Sequence, residues 1–459
     1  MRAALALAAA AVVAAFPAPG RTAELTDVAD GPADGKPLDL SLDLAFRRSN
    51  RSGHIFKEYH EGLDTSGVGG PDARIIESRE LSYFESTSTL EVTARAGVAK
   101  NLELSVGVPV VLSRSVEWRL PPGRSAAESL LLTNEFGAGV CPGRGEEFGG
   151  WRVETYGSLD PTDWTCVPNT EAIAAGAVNL PYVPVTVPGS AHFSGIGDPW
   201  IGLTLGILDE EREGGNPAWI VGLRYQLPVA PIADPSAANT ETSPGGAGSG
   251  FHRISVRTAL SKDLGIAEPY VELQYTLSIA GGKAFSNCDH AGNQGTPENC
   301  ESWTSDDKDA RPRHVAGLTV GAELVPWEQP RRHLRFWFDA RLGAEYHSEG
   351  RDYSEASWIL KKLTYTEDFA RVAGKLRVAF DGGEHVRVGL ETGLAWDSPH
   401  FLTRESIGQD FDQNGQVDLD NVGNELNPNF DFRYDVPGRR LRMGEVYDFT
   451  FGAFARIAL

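Results

Sequence analysis

The feature that most constrains this chain is a two-residue alternation of apolar and polar side chains that returns again and again along its length. Residues 38–47 read LDLSLDLAFR, with Leu38, Leu40, Leu42, Leu44 and Phe46 in one series and Asp39, Ser41, Asp43, Ala45 and Arg47 in the other. Neighbouring side chains of a strand point to opposite faces, so such a segment has one greasy face and one charged face. Residues 87–98 set Leu90, Val92, Ala94, Ala96 and Val98 together, and residues 102–112 set Leu102, Leu104, Val106, Val108, Val110 and Leu112 against Glu103, Ser105 and Gly107. In 333–346, Leu334, Phe336, Phe338, Ala340, Leu342, Ala344 and Tyr346 alternate with Arg335, Trp337, Asp339, Arg341, Gly343 and Glu345.

Twelve such segments occur, near 38–47, 87–98, 102–113, 199–208, 218–228, 251–262, 269–279, 314–325, 333–346, 369–380, 386–396 and 446–458. Most reach about 10 residues, the length a tilted strand needs to cross a bilayer. The gaps between them sort by parity. Those at 99–101, 209–216, 263–268, 326–332 and 381–385 are short, whereas those at 48–86, 114–198, 229–250, 280–313, 347–368 and 397–445 are long. A transmembrane barrel has short periplasmic turns and long outer loops, and a soluble sandwich has no reason to sort its loops in this way.

The N-terminus agrees with export. Arg2 precedes an apolar run over 3–16, and small residues follow at Ala18, Gly20 and Ala23, so a signal peptide cleaved within 18–23 is expected. The run is too short for a spanning helix, and no other stretch reaches 18 consecutive apolar residues. The formal charge of -21 argues against a nucleic-acid partner, and 51 glycines suit a chain with many turns. The expected fold is therefore all-β: a monomeric transmembrane antiparallel barrel of about twelve strands over residues 24–459, in the outer membrane of a Gram-negative cell. Its expected partners are lipid and small-molecule solutes. Outward-facing Tyr346, Trp396, Tyr447 and Phe449 fall at the outer ends of strands and Trp219, Phe336 and Phe380 at the inner ends, as two interfacial girdles require.

Four cysteines form two pairs close in sequence, Cys141 with Cys166 and Cys288 with Cys300, each inside one long loop. Two local disulfides are the simplest arrangement in an oxidising compartment; crossed pairing and metal ligation are the alternatives. No cofactor is required by the pattern, but residues 410–421 read DFDQNGQVDLDN. Asp410, Asp412, Asn414, Gln416 and Asp418 occupy the ligand positions of an EF-hand-like calcium loop, with Gly415 at its sharp turn. Asn421 stands where a bidentate Glu is expected, so a solvated acidic loop is the competing reading.

The polar faces carry Arg224, Arg253, Arg257, Glu272, Arg335, Asp339, Arg341, Glu345, Arg371, Lys375, Arg377, Arg387 and Glu391. These residues line an aqueous path, or else fill a narrow lumen as mutual ion pairs. The excess of Arg over acid on 333–346, 369–380 and 386–396 points to a positive wall there, one that favours anions or holds an acidic loop folded inward. The chain has no Gly-x-Ser-x-Gly elbow, and His252 and His314 fall at strand starts near the outer rim, so no enzyme is expected.

The stretch GVAKNLELSVGVPVVL at 97–112 resembles a hairpin of the outer-membrane family associated with meta-pathway phenol degradation. SGIGDPWIGLTLGIL at 194–208, VGLRYQLPVAP at 221–231 and GSGFHRISVRTALSKDLGIAEPYVELQYTLS at 248–278 resemble it too. The resemblance implies a barrel of the hydrophobic-compound transporter type. The last segment, 445–459, resembles the C-terminal strand that the barrel assembly machinery recognises, although it ends in Leu459 where Phe or Trp is usual. The functional expectation is a channel passing small, hydrophobic or aromatic solutes by passive diffusion. The alternative is a closed-lumen surface-binding or structural barrel acting through its outer loops, with the apolar residues 130–132 as a candidate lid or plug.

Overall fold

In the computed structural model, described residues are 23–29 except 27, 39–63, 69–131 except 130, 151–156, 164–168, 189–208 and 216–289. Also described are 300, 303, 309–413 except 384, and 425–459 except 426, 432, 433 and 436. The expected signal peptide and the Cys141–Cys166 pairing lie outside the described residues.

Each alternating segment forms a strand, and the strands pair in chain order. They are β1 (Leu40–Leu63), β2 (Gly69–Ala99), β3 (Leu102–Arg119), β4 (Trp200–Leu208), β5 (Ala218–Gln226) and β6 (Phe251–Ser261). Next come β7 (Ala267–Ala280), β8 (Val315–Gln329), β9 (Leu334–His347), β10 (Phe369–Gly382), β11 (Val386–Asp397) and β12 (Leu441–Ala458). Antiparallel pairing of β1 with β12, from Ser41 opposite Ala458 to Lys57 opposite Leu441, closes the sheet into a twelve-stranded barrel. Across the lipid-facing band closure pairs each of the twelve strands on both sides, which a structure surrounded by lipid demands.

The apolar series faces outward. Leu273 is 54% exposed, Leu342 64%, Leu376 56% and Leu394 57%, a band of large exposed hydrophobic side chains that water would not tolerate on a monomer. Tyr346, Trp396 and Tyr447 stand exposed toward its outer edge, and Trp219, Trp327 and Phe380 toward the short-turn edge.

Two expected loops are shorter than their gaps. Residues 48–63 and 69–86, expected within the first outer loop, continue the β1–β2 ladder as a long hairpin. Residues 114–119 continue β3, and Gly189–Ile196 pairs with its outer half. Past the bilayer an outward face is free to be polar, so hydrophobic alternation stops while backbone pairing goes on.

The outer end holds a dry core. Ile55 of β1, Leu81 and Tyr83 of β2, Val116 and Trp118 of β3 and Leu441, Met443 and Val446 of β12 are buried together. Against them pack Phe193, Leu402, Tyr434 and the short helix Ser357–Leu360.

Candidate functional site

The polar series faces inward around a cavity of about 880 Å³. Arg224, Arg253, Arg257, Glu272, Arg341, Glu345 and Arg377 line it directly. The other expected lumen residues, Arg335, Asp339, Arg371, Lys375, Arg387 and Glu391, are joined in wall ion pairs.

Between β10 and β11 the pairs follow from the register, whereas Asp339 pairs with Arg341 along its own strand and Arg335 with Glu268 and Glu323; the facing residues on the ladders are these. Asp339 stands opposite Arg377, Glu345 opposite Arg371, and Arg335 opposite Asp381. Arg377 stands opposite Glu391 and Arg371 opposite Asp397. The Glu391 carboxylate collects Arg47 at 2.7 Å, Lys375 at 2.8 Å and Arg377 at 3.1 Å. Arg371 reaches Asp448 at 2.6 Å and Asp397 at 3.4 Å. Arg335 is shared between Glu268 at 2.8 Å and Glu323 at 2.6 Å. The positive wall expected on β9, β10 and β11 is therefore largely neutralised, because facing strands supply the carboxylates that a count along single strands leaves out.

Part of what neutralises it is an inward-folded acid, but from the N-terminal side and not from an outer loop. The described residues 23–26, 28 and 29 run across the lumen at the short-turn end. Glu24 lies 3.2 Å from Arg387, 3.4 Å from Arg456 and 3.7 Å from Arg377. Burial raises its pKa, yet Arg387, Arg456, Arg377 and Arg95 outweigh that and hold it at about 2. The Glu24 amide donates to Glu323 at 3.2 Å, the Thr26 and Ser261 hydroxyls share a hydrogen bond of 2.6 Å, and the Ala29 amide donates to Glu103 at 3.1 Å. This strap thus ties β8, β11 and β12 to β6 and then to β3, across the periplasmic mouth. Nothing in its short, unpatterned sequence marks it as a lumen element.

A lid closes the outer mouth. Between β9 and β10 the chain turns inward as a small hairpin, Gly350–Asp352 with Thr364–Thr366, carrying the helix Ser357–Leu360 at its tip. Trp358 packs on Phe193 with ring centroids 4.6 Å apart and stacks on Tyr353 at 5.6 Å. The Trp118 indole donates to the Glu355 carbonyl at 3.1 Å. Arg51 of β1 bridges Glu355 of the lid at 2.6 Å and Asp397 of the wall at 2.9 Å. Leu131 is buried within this cap; residues 130 and 132, expected with it as a lid or plug, lie outside the described residues. Lower down, Asn287 donates to the Leu363 carbonyl at 3.0 Å and to Asn429 at 2.7 Å. The neighbouring Cys288 is bonded to Cys300, with S–S 2.09 Å.

Of the calcium-like loop, Asp410 and Asp412 are described and Asn414, Gln416 and Asp418 lie outside the described residues. One carboxylate oxygen each of Asp410, Asp412 and Glu425 falls within 4.8 Å of the others. Glu425 accepts the amides of Phe411 at 3.1 Å and Asp412 at 3.3 Å. It follows the twelve-residue loop by four positions, so counting loop positions from Asp410 does not reach it. His252 shares a hydrogen bond of 2.7 Å with the Tyr225 hydroxyl, and His314 accepts the Ser278 amide at 3.3 Å; among the described residues neither imidazole bonds a Ser, Thr or Cys side chain.

A closed antiparallel barrel, apolar on its outer surface and charged within, defines the class: this is an integral outer-membrane β-barrel protein. No protein-family model matches the chain and no curated protein matches it, so the resemblance to the phenol-degradation family stands on the quoted stretches alone. Among solved structures, an outer membrane channel from Pseudomonas putida F1 aligns at 9% identity over 94% of this chain and 100% of its own, with TM-score 0.40. A FadL homologue from Pseudomonas aeruginosa aligns at 10% identity over 92% and 90%, with TM-score 0.32. The outer membrane protease OmpT of Escherichia coli aligns at 7% identity over 92% and 97%, with TM-score 0.27. Channels and a protease stand side by side at these scores, and no activity follows from them.

Proposed function

We propose that this protein is a gated outer-membrane channel for small solutes, closed in the described state by the strap on the periplasmic side and the lid on the outer side. The observation that carries the reading is the cavity of about 880 Å³ between the two closures. A barrel whose only task is structural has no need of such a space, and interiors are otherwise packed to near-crystalline density. Both closures are held by non-covalent contacts to the wall, namely Glu24 with its arginines and Glu355 with Arg51. Such contacts open without a chemical step. The cavity lining is predominantly polar, which favours solutes that carry a polar or charged group over pure hydrocarbons.

The competing reading is a closed barrel acting at the surface through its outer loops. The buried core beneath the lid favours it, since opening exposes Trp118 and Trp358. Planar-bilayer recording decides between the two. Brief discrete openings of the wild type, made longer in a variant lacking residues 23–29, support a channel. A folded barrel that stays silent even when both strap and lid are removed leaves the surface-binding reading. We further propose that Asp410, Asp412 and Glu425 hold calcium and so order the last outer loop, Glu425 supplying the carboxylate that Asn421 does not.

A further inference from the structure

The wall formed by β5, β6 and β7 differs from the rest of the lumen. Arg224, Arg253 and Arg257 all line the cavity, and none faces a carboxylate across the ladder. Arg224 stands between Gly202 and Ser255, Arg253 between Gln226 and Ser278, and Arg257 between Gly222 and Gln274. Because Ser255 lies midway between Arg253 and Arg257 on its strand, Arg224 sits diagonal to both, a separation of about 7–8 Å at the backbone that long side chains span. Gly222 leaves the room that Arg257 uses: a Cβ there meets Arg257 Cγ at 2.9 Å.

Two of the three cations are partly compensated. Arg257 is 3.4 Å from Glu272; Arg224 is 3.6 Å from Glu91 and lies 3.8 Å above the Trp200 ring. Arg253 forms no hydrogen bond or ion pair among the described residues. A half-buried guanidinium without a partner is costly in a lumen where every comparable cation on β9 to β12 is matched. Across the ladder it meets neutral groups, Gln226 and Ser278, beside the Ser255 and Thr276 hydroxyls, which bond each other at 2.8 Å; the nearby carboxylates Asp352 and Asp198 are engaged elsewhere, by Arg313 at 3.0 Å and by the Ser249 amide at 2.8 Å.

We propose that Arg253, with Arg224 beside it, binds the carboxylate of a small monoanionic solute in the cavity. The planar guanidinium fork matches a carboxylate in two parallel hydrogen bonds. One cation without a directly bonded carboxylate calls for one negative charge. A dianion such as phosphate brings an excess charge close to Glu91, Glu272 and Asp352, which line the same cavity. The role of this site in passage rests on the channel reading, but binding at it does not.

Calorimetric titration of the folded, detergent-solubilised protein tests the site, with benzoate as probe, benzyl alcohol as its uncharged counterpart and inorganic phosphate as the dianion. Benzoate is expected to bind saturably and benzyl alcohol and phosphate at least tenfold more weakly. Arg253→Gln is expected to weaken benzoate at least tenfold, and Arg253→Lys to recover part of the loss. Gln226→Glu, which sets a carboxylate across the ladder from Arg253, is expected to abolish binding without removing any cation. Heat-modifiable migration verifies that each variant is folded; if Arg253→Gln does not fold, Gln226→Glu alone decides. Absence of saturable benzoate binding, phosphate binding as tightly as benzoate, or unchanged affinity in these variants overturns the proposal. Silence in bilayers with benzoate binding intact overturns the channel reading and leaves the site standing.

Discussion

The carboxylate of Glu24 lies 3.2 Å from the guanidinium of Arg387, across the periplasmic mouth from the point where Ala29 meets Glu103. This contact and those to Arg377 and Arg456 hold the strap in the lumen. Three buried arginines share this one carboxylate as ion pairs, so Glu24→Gln is expected to raise the displaced population of the strap about tenfold or more. Arg387 keeps Asp381 and Arg456 keeps Asp43, so the wall itself stays paired in the variant. A cysteine placed at Ala29 is expected to react with a periplasm-side thiol reagent at least tenfold faster in the Glu24→Gln background. Equal rates in the two backgrounds exclude Glu24 as the anchor.

The barrel was legible in the sequence and its interior was not, for one physical reason. Lipid imposes an apolar outward face on every strand, so Leu38 to Phe46 or Leu334 to Tyr346 announce themselves singly. Charge balance inside depends on which residues face one another, and register is a property of two strands. Arginines of β9 to β11 look unmatched along their own strands, yet Arg371 meets Asp397 and Arg377 meets Glu391. Arg253 looks no different in sequence and meets Gln226 and Ser278. The strap and lid were hidden for a related reason: Glu24 and Trp358 lie in segments with no repeating pattern, and only the closed barrel brings them against Arg387 and Phe193.

Trp358 joins the lid to the wall by packing on Phe193 and, within the lid, stacks on Tyr353, which packs on Phe251 of β6; the Arg114 guanidinium is 5.9 Å from its ring. Removing a buried Trp side chain costs about 3–5 kcal/mol. Trp358→Ala is therefore expected to loosen the lid while the membrane-spanning ladder, which it does not touch, keeps its heat-modifiable migration. The two closures lie in series, so this variant alone raises conductance little, and combining it with removal of residues 23–29 raises it far more than the two separate effects together. Simple additivity in bilayer recordings places the main barrier elsewhere.

Asp435, in the loop between β11 and β12, is expected to make that loop sensitive to pH. Burial first, and then the neighbouring Glu405 and Asp431, push its pKa up to about 7 against the pull of Lys362. Its oxygens accept the Glu405 amide at 3.0 Å and the Asp431 amide at 2.8 Å. An unfolded Asp titrates near about 3.9, so the folded pKa is the higher one. The stability it contributes is full below about pH 4 and falls away as pH rises through about 7. Amides near 402–407 and 431–441 are expected to exchange at least tenfold more readily at pH 8 than at pH 5, after correction for intrinsic rates. Asp435→Asn removes the titration and is expected to flatten that dependence; an unaltered profile in the variant assigns the effect to another group.

The acidic group at the last outer loop gives the remaining prediction. Asp410, Asp412 and Glu425 place three carboxylate oxygens within 4.8 Å, a spacing that repels without a cation and suits a hard, oxygen-seeking one. Calcium sites in extracellular modules bind at about 10⁻⁴–10⁻³ M, and the proposed site belongs in that range. Titration with calcium is expected to show one such event and to protect the segment around 407–427 from protease. Glu425→Gln keeps an acceptor for the Phe411 and Asp412 amides and removes one charge, so the loop geometry survives while affinity falls about tenfold or more. No heat at millimolar calcium, or equal affinity in the variant, means that the acidic residues serve only as a solvated surface and that the ligand-spaced sequence from Asp410 binds no metal.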